Sequence, residues 1–507
     1  MRSLRLLLSA GAMLSLVAGS AYASRIIGQE GSPASPTGVG IVNLLDGFQQ
    51  VGSPYTGGHG LESEGASPFS VPAPGTINMR INSFVNEFPM MTWFSGQNGN
   101  GTPGANAGNK IQGFGVYGWI RIDLGIDGQT KNGIKYGAFT EIRENNTTNV
   151  SGGLTSVNGG FGESASADSG NNTLYVRHAS VYLGTDQIGF LRVGTGIAPQ
   201  TLYESGLTDN FDMGGWISYA STNIPSNMTP IWPWADEGGQ YMAATIIYTS
   251  PVIAGFDGGI GFIPNNSPPF DGSGCSAPYG GVGCATQSSS VFAGDVQNRY
   301  RNELSVALRY RNTFGPVGMT VSGIYSFSGV VNNNASAALP GGAATINGIP
   351  QTSQRYKGLK IGDLGAEFSL FRAWNIAGSV MWGNFNGNWA LQPEGGSDAF
   401  AWTVGTKYTF MQVPLTIGTY YFDYRYNGLT TVRPRGVGQR TSRGLDVGAV
   451  YGLGPGVVLV AEYAWGENSQ TGFNFLQNVN VAQNPIAGRL SNKVWAQVLT
   501  AGMSVRF

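Results

Sequence analysis

From Thr76 to the C-terminus the chain repeats one pattern: apolar and polar residues alternate along a segment, and a stretch rich in Gly, Asn, Pro and Ser follows. Alternation with period two puts successive side chains on opposite faces, so each segment is expected to be a β-strand whose two faces meet different surroundings. The predicted strands run approximately 76–94, 111–126, 133–144, 173–184, 187–196, 241–250, 255–263, 299–313, 316–328, 359–371, 374–387, 400–411, 414–427, 443–453, 456–468 and 493–507. Most reach the roughly 9–11 residues that a tilted strand needs to cross a bilayer's hydrocarbon layer.

The connections alternate strictly in length. The long ones are 95–110, 145–172, 197–240, 264–298, 329–358, 388–399, 428–442 and 469–492, and the short ones include Thr185-Asp186, Phe314-Gly315, Phe371-Arg372-Ala373, Gln412-Val413 and Gly454-Pro455. A soluble sandwich has no reason to gather every long loop at one end. A barrel of the outer membrane does, with long loops outside the cell and tight turns in the periplasm. An even strand count also lets the last strand close antiparallel onto the first, so that no hydrogen-bonding edge faces lipid. The expected fold is all-β: a transmembrane antiparallel sixteen-stranded barrel over 76–507.

Charge placement then assigns the faces. A Lys or Arg on the lipid face near midplane costs roughly 2–4 kcal/mol, so strand charges should point inward. Phe114, Val116, Ile120, Ile122 and Leu124 share one face, leaving Arg121 and Asp123 on the other. Lys135, Glu141 and Arg143 share a face. Leu304, Val306, Leu308 and Tyr310 alternate with Arg301, Glu303 and Arg309, and Glu462 and Asp446 lie opposite Leu459 and Leu445. Aromatics near strand ends, among them Trp93-Phe94, Trp382 with Phe385, Tyr420 to Tyr426, and Tyr463 with Trp465, suit interfacial girdles. In the last strand Trp495, Leu499, Ala501, Met503, Val505 and Phe507 share a face; an alternating strand with a terminal Phe507 resembles the signal read by the outer-membrane insertion machinery.

Composition agrees with one very large barrel. Charged residues are only 11% of the chain, against about a quarter in ordinary soluble proteins, while Gly is the commonest residue. The start is expected to be a signal peptide, 1–23: Arg2 and Arg5 precede an apolar stretch from Leu6 to Val17, and Ala21-Tyr22-Ala23 offers a cleavage site. That stretch is shorter than the roughly 20 residues of a membrane-spanning helix. Residues 24–75 form a Gly/Pro/Ser-rich extension with no assigned role. Loss of Arg2 and Arg5 takes the formal charge from −1 to −3, which gives no hint of a nucleic-acid partner. Cys275 and Cys284 lie in a Gly/Pro/Ser-rich loop with no histidine nearby, and in an oxidising compartment they are expected to form a disulfide rather than a metal site. No cofactor or metal is expected.

Asn172-Thr-Leu-Tyr-Val-Arg-His-Ala-Ser-Val-Tyr-Leu-Gly184, followed by Gln187-Ile-Gly-Phe-Leu-Arg-Val-Gly-Thr195, resembles the general porin family in its arginine-bearing strand, its Leu-Gly turn and the long third loop that follows. Asn132-Gly-Ile-Lys-Tyr-Gly-Ala-Phe-Thr-Glu-Ile-Arg143 is similar to the third strand of alphaproteobacterial members. The resemblance implies a homotrimer of water-filled barrels in outer-membrane lipid and lipopolysaccharide, passing ions and small hydrophilic solutes by diffusion. It also implies that the third loop, 197–240, folds inward. In such porins acids on this loop oppose wall arginines. The matching residues here are Glu204, Asp209, Asp212, Asp236 and Glu237 on the loop, and Arg80, Arg121, Arg143, Arg177 and Arg192 on the wall. The loop departs from the family's Pro-Glu-Phe-Gly-Gly tip, reading Asn210-Phe-Asp-Met-Gly-Gly-Trp216.

Three rival readings are open to test. A carbohydrate-selective porin would use Trp216, Tyr219, Trp232 and Trp234 as a stacking surface, though these rings could equally pack the loop onto the wall. A secreted soluble β-protein would be a propeller, whose repeat does not recur here, or a carbohydrate-binding sandwich, and partition into detergent-solubilised membranes separates either from a barrel. An enzyme is disfavoured because neither histidine, His59 nor His178, adjoins a nucleophile motif.

Overall fold

The computed structural model describes residues 73–97, 113–145, 174–207, 224, 228–234, 244–265, 300–330, 345–346, 349–350, 356–371, 373–429, 433–454, 457–476, 479–480 and 491–506. Sixteen strands form a closed antiparallel barrel in which each strand pairs with its neighbour in sequence and the last pairs with the first. They are β1 (Ile77–Phe94), β2 (Phe114–Gln129), β3 (Lys135–Asn145), β4 (Leu174–Thr185), β5 (Gly189–Gly194), β6 (Thr245–Thr249), β7 (Phe256–Asn265), β8 (Tyr300–Phe314) and β9 (Val317–Val330). The rest are β10 (Lys360–Leu370), β11 (Trp374–Asn384), β12 (Ala399–Thr409), β13 (Leu415–Tyr426), β14 (Arg440–Gly454), β15 (Val457–Ser469) and β16 (Lys493–Arg506). Every predicted strand is present. Two short hairpins, Thr345–Ile346 with Ile349–Pro350 and Phe473–Asn474 with Val479–Asn480, lie in long loops and were not anticipated. No helix among the described residues is long and apolar enough to cross a membrane.

Alternation sets the outer face as expected. Val306, Leu308, Leu459, Leu499 and Met503 are exposed, while Arg121, Asp123, Glu303, Arg309, Asp446 and Glu462 are buried within. The aromatic assignments divide by parity: Trp93 and Trp382 face outward, but Phe94, Phe385, Tyr420, Phe422, Tyr424 and Tyr426 point into the barrel and are buried there. Those inward rings are therefore not girdle residues. Phe385 stacks on Tyr424 with centroids 5.8 Å apart, and Tyr424 on Tyr426 at 4.4 Å.

The interior is two-sided. On β2 to β10 the inward residues are largely polar or charged. On β11 to β16 and β1 buried apolar residues, including Met381, Ala401, Phe422, Val460, Val498 and Phe88, stand among polar ones such as Ser379, Asp446, Glu462 and Thr500. Those strands carry apolar residues on both faces, because their inner face meets protein rather than water. Covering residues come from the third loop, with Leu207, Ile224, Met228, Trp232 and Trp234 in the same buried cluster, and from two later loops, with Trp389, Leu391, Phe473 and Phe475.

The strands flanking that loop are shorter than the alternation predicts. β5 has 6 residues and β6 has 5, against spans of about ten expected from the sequence. The chain leaves the sheet at Thr195, whose backbone N–H donates to Ala179 O at 2.8 Å. Gly196, at φ 76°, lets it turn inward where a Cβ would meet the His178 ring at 2.5 Å. One turn of helix, α1 (Pro199–Tyr203), follows inside the barrel with proline in its first turn.

Candidate pore constriction

The third loop is pinned to the inner wall by a run of contacts that begins on α1. Tyr203 donates its hydroxyl to Gly258 O on β7 at 2.8 Å, and its ring lies under the Arg309 guanidinium at 4.9 Å. Arg309, on β8, donates from Nη1 to Leu202 O at 3.1 Å. Its remaining fork, Nε at 3.1 Å and Nη2 at 2.7 Å, grips Asp257, which also accepts from Arg311 at 2.9 Å. Such a bidentate pair fixes direction as well as distance. Gln200 donates to Ser326 on β9, and Ser205 Oγ lies 2.8 Å from Ser322 Oγ on the same strand.

Beyond Ser205 the loop reaches β10 and β11. Gly206, at φ 89°, passes so close that a Cβ would sit 2.2 Å from Gly378 O, and a Cβ on Gly365 would sit 1.8 Å from Ser205 O. Glycine at these positions admits backbone against backbone. The buried Glu204 carboxyl lies beside Asp363 of β10. Asp363 accepts from Ser379 Oγ at 2.7 Å, and Ser379 accepts from Trp234 Nε1 at 3.1 Å. Further along, Trp389 donates to Pro233 O at 3.1 Å and Asn468 of β15 to Thr229 O at 2.8 Å. Trp232 packs edge-on against Tyr420 and Phe422, with centroids 5.1 and 5.0 Å away. Leaving β5, the loop is thus held across the barrel by β7 to β11, β13 and β15.

The sequence-predicted wall arginines gather on the arc β1 to β5. Arg121 and Arg143 are register partners on β2 and β3. Arg121 is buried and compensated within the wall, 3.0 Å from Asp123 and 3.1 Å from Glu141. His178 Nε2 stands 3.9 Å from the same Glu141. Arg192 is buried on β5 with its guanidinium 5.7 Å from the Tyr182 ring, whose hydroxyl donates to Asp127 at 2.5 Å. Arg80 pairs with Gly125 across the β1–β2 ladder. Arg177 falls at a β-bulge, where the register passes from Glu141↔His178 to Ile142↔Val176.

Of the loop acids only Glu204 is described, and it is buried on the far arc against β10. Asp209, Asp212, Asp236, Glu237, Trp216, Tyr219, Cys275, Cys284 and Phe507 lie outside the described residues. Sequence reasoning missed Asp363 and the Asp257–Arg309 grip. A signal for the first was present: Asp363 shares its face of the strand with Gly365, two residues on, which leaves room for another chain segment beside the acid.

A sequence profile of the Gram-negative porin family matches residues 10–471. The chain belongs to the Gram-negative porin family. It is thus an outer-membrane channel for passive diffusion of ions and small hydrophilic solutes, and not an enzyme. No curated protein matches the porin in sequence. Among solved structures it is similar to the anion-selective porin from Comamonas acidovorans, at 13% identity and a TM-score of 0.47, over 85% of this chain and 100% of that one. A triple mutant of the Rhodopseudomonas blastica porin gives 12% identity and a TM-score of 0.42, with the same coverage of each chain.

Proposed function

We propose that the third loop and the β1–β5 arc form the selectivity constriction of this porin. Glu204, Asp209, Asp212, Asp236 and Glu237 supply the acidic side, and Arg80, Arg121, Arg143, Arg177 and Arg192 the basic one. The observation that carries the reading is the path of the loop: it leaves β5 and is anchored on β7 to β11, so Glu204 lies away from the β1–β5 strands that carry the five named arginines. Opposed charge rows across a narrow, low-dielectric gap create a transverse field that orients water and dipolar solutes. The test is reversal potential in a salt gradient. Arg177→Ala should raise cation preference, and neutralising Glu204, Asp209 and Asp212 together should shift preference toward anions. Both shifts should shrink as the Debye length falls from about 10 Å at 0.1 M to 3 Å at 1 M. If neither variant moves selectivity while the pore still conducts, the loop is not the filter.

The porin works as a homotrimer in this reading. Glu87 supports it: this carboxyl is exposed on the outward face midway along β1, a costly place against hydrocarbon and a reasonable one against a neighbouring subunit. Its surroundings are outer-membrane lipid and lipopolysaccharide, reached after cleavage of 1–23, with 24–75 as a non-barrel extension and Phe507 in the insertion signal. Cys275 and Cys284 close the fourth long loop, which mass spectrometry of the unreduced protein tests by the absence of free thiols. The carbohydrate-selective reading loses support from the burial of Trp232 and Trp234, whose rings pack on the wall and are closed to a passing sugar.

A further inference from the structure

Five charged residues break the apolar outer surface at one place. Asp423 and Arg425 on β13, Arg443 on β14, Glu467 on β15 and Lys493 on β16 all lie on the outward face, since their neighbours Phe422, Tyr424, Ser442, Gly466 and Val494 point inward and are buried. The ladder sets them side by side: Asp423 pairs with Arg443, and Arg443 with Glu467. Each lies within the last few residues of its strand on the long-loop side, the side of the outer leaflet. Below them the outward row turns apolar again, at Val447, Tyr451, Leu459, Leu499 and Met503. Among the described residues, outward strand charges elsewhere occur singly, as at Glu87 and Lys360.

The arrangement is asymmetric in depth. The side chains of Asp423 and Glu467 are 12% and 8% exposed, whereas those of Arg425, Arg443 and Lys493 are 63%, 38% and 61% exposed. The acids sit against the barrel and orient the cations. Arg425 Nε is 3.4 Å from Asp423, Arg443 Nε stands 3.9 Å from Asp423 and 3.8 Å from Glu467, and Lys493 Nζ is 2.7 Å from Glu467. Three cations against two acids leave a surplus positive charge directed outward. Beside them stand the exposed indole of Trp495 and the Trp402–Tyr421 pair, with ring centroids 5.5 Å apart.

We propose that this patch on β13 to β16 binds the phosphorylated sugar head of an outer-leaflet glycolipid, its acyl chains lying down the apolar row below. The proposal rests on the outer-membrane reading above and adds the place and the residues. Guanidinium forks suit phosphate oxygens, an ammonium adds a point charge, and flat aromatic rings at headgroup depth suit a sugar face. Arg443 is the positioned centre, and Arg425 and Lys493 flank it.

The test uses full-length porin in detergent, with binding of bisphosphoryl lipid A, monophosphoryl lipid A and phosphatidylglycerol followed by native mass spectrometry. Wild type should bind bisphosphoryl lipid A most tightly. The triple variant Arg425→Gln, Arg443→Gln, Lys493→Gln should lose at least tenfold in affinity while keeping heat-modifiable gel migration and wild-type conductance. Should the triple variant fail to fold, Arg425→Gln with Lys493→Gln, both at exposed sites, should still lose several-fold. If wild type binds no lipid A, the outer-leaflet reading itself fails. Equal binding by wild type and variant refutes the site and leaves that reading standing. Phosphatidylglycerol binding as tightly as lipid A would refute the glycolipid as partner, and a change of oligomeric state in the variant would make the patch a subunit interface instead.

Discussion

Gly365→Ala is the sharpest probe of how the loop is seated. Gly365 faces inward on β10, and a methyl group there would lie 1.8 Å from Ser205 O and 2.6 Å from Ser205 C, backbone atoms with no side chain to swing aside. The sheet behind it is fixed by hydrogen bonding to β9 and β11. The loop must therefore retreat by roughly 1.6 Å to reach an ordinary 3.4 Å contact. A shift of that size strains or breaks the 2.8 Å contact between Ser205 and Ser322, worth about 1 kcal/mol. It also pulls Glu204 from Asp363. With the wall behind it, the loop can move only toward the barrel axis, so the passage narrows. Single-channel conductance should fall, and the largest sugar admitted in a liposome-swelling assay should become smaller. Gly323→Ala is the control: its Cβ would meet only Leu364 Cδ1, at 3.7 Å, and conductance should not change. A folded Gly365→Ala protein with wild-type or raised conductance would refute the seating of the loop described above.

Three other outcomes follow from the same contacts. Arg309→Ala leaves Leu202 O and Asp257 short of a buried partner and should cost about 3–5 kcal/mol in thermal or urea unfolding; Arg309→Lys should recover little, because an ammonium cannot replace the fork. Trp232→Ala with Trp234→Ala empties the apolar cluster under the loop, at about 3–5 kcal/mol for each buried ring, and should open the loop to protease while the barrel stays folded. Leu308→Lys, on the lipid face of β8, should cost roughly 2–4 kcal/mol in refolding into lipid vesicles, whereas Thr320→Ser, at an inward and part-exposed position of β9, should cost far less.

Much of the barrel was legible in the chain because each strand meets two solvents. Where lipid lies on one side and polar groups on the other, as on β2 and β8, the residues alternate, and both the strand and its facing can be read from Arg121 or Arg309 alone. Loop lengths gave the orientation for a similar reason, since tight turns and long loops sit at opposite ends. The same logic failed where the inner surroundings were not water. On β13 the inward Tyr420, Phe422, Tyr424 and Tyr426 look like girdle aromatics in sequence, and their true neighbours, Trp232 of the third loop and Phe385 just past β11, are remote along the chain.

The sequence by itself determined the strand count, the lipid-facing rows, the closure of β16 on β1 and the loop that would fold inward. The first three follow from local periodicity and from the cost of placing charge or unpaired backbone in hydrocarbon, and the inward loop from the resemblance of 172–195 to the porin family. Only the tertiary structure decided where that loop lands. Its seat depends on Gly206 and Gly365 letting backbone meet backbone, on Arg309 holding Leu202 O, and on Glu204 lying beside Asp363 more than a hundred residues away. It also decided that five outward charges on four strands form one patch, because the register between Asp423, Arg443 and Glu467 is set by hydrogen bonding across the sheet and not by spacing along the chain.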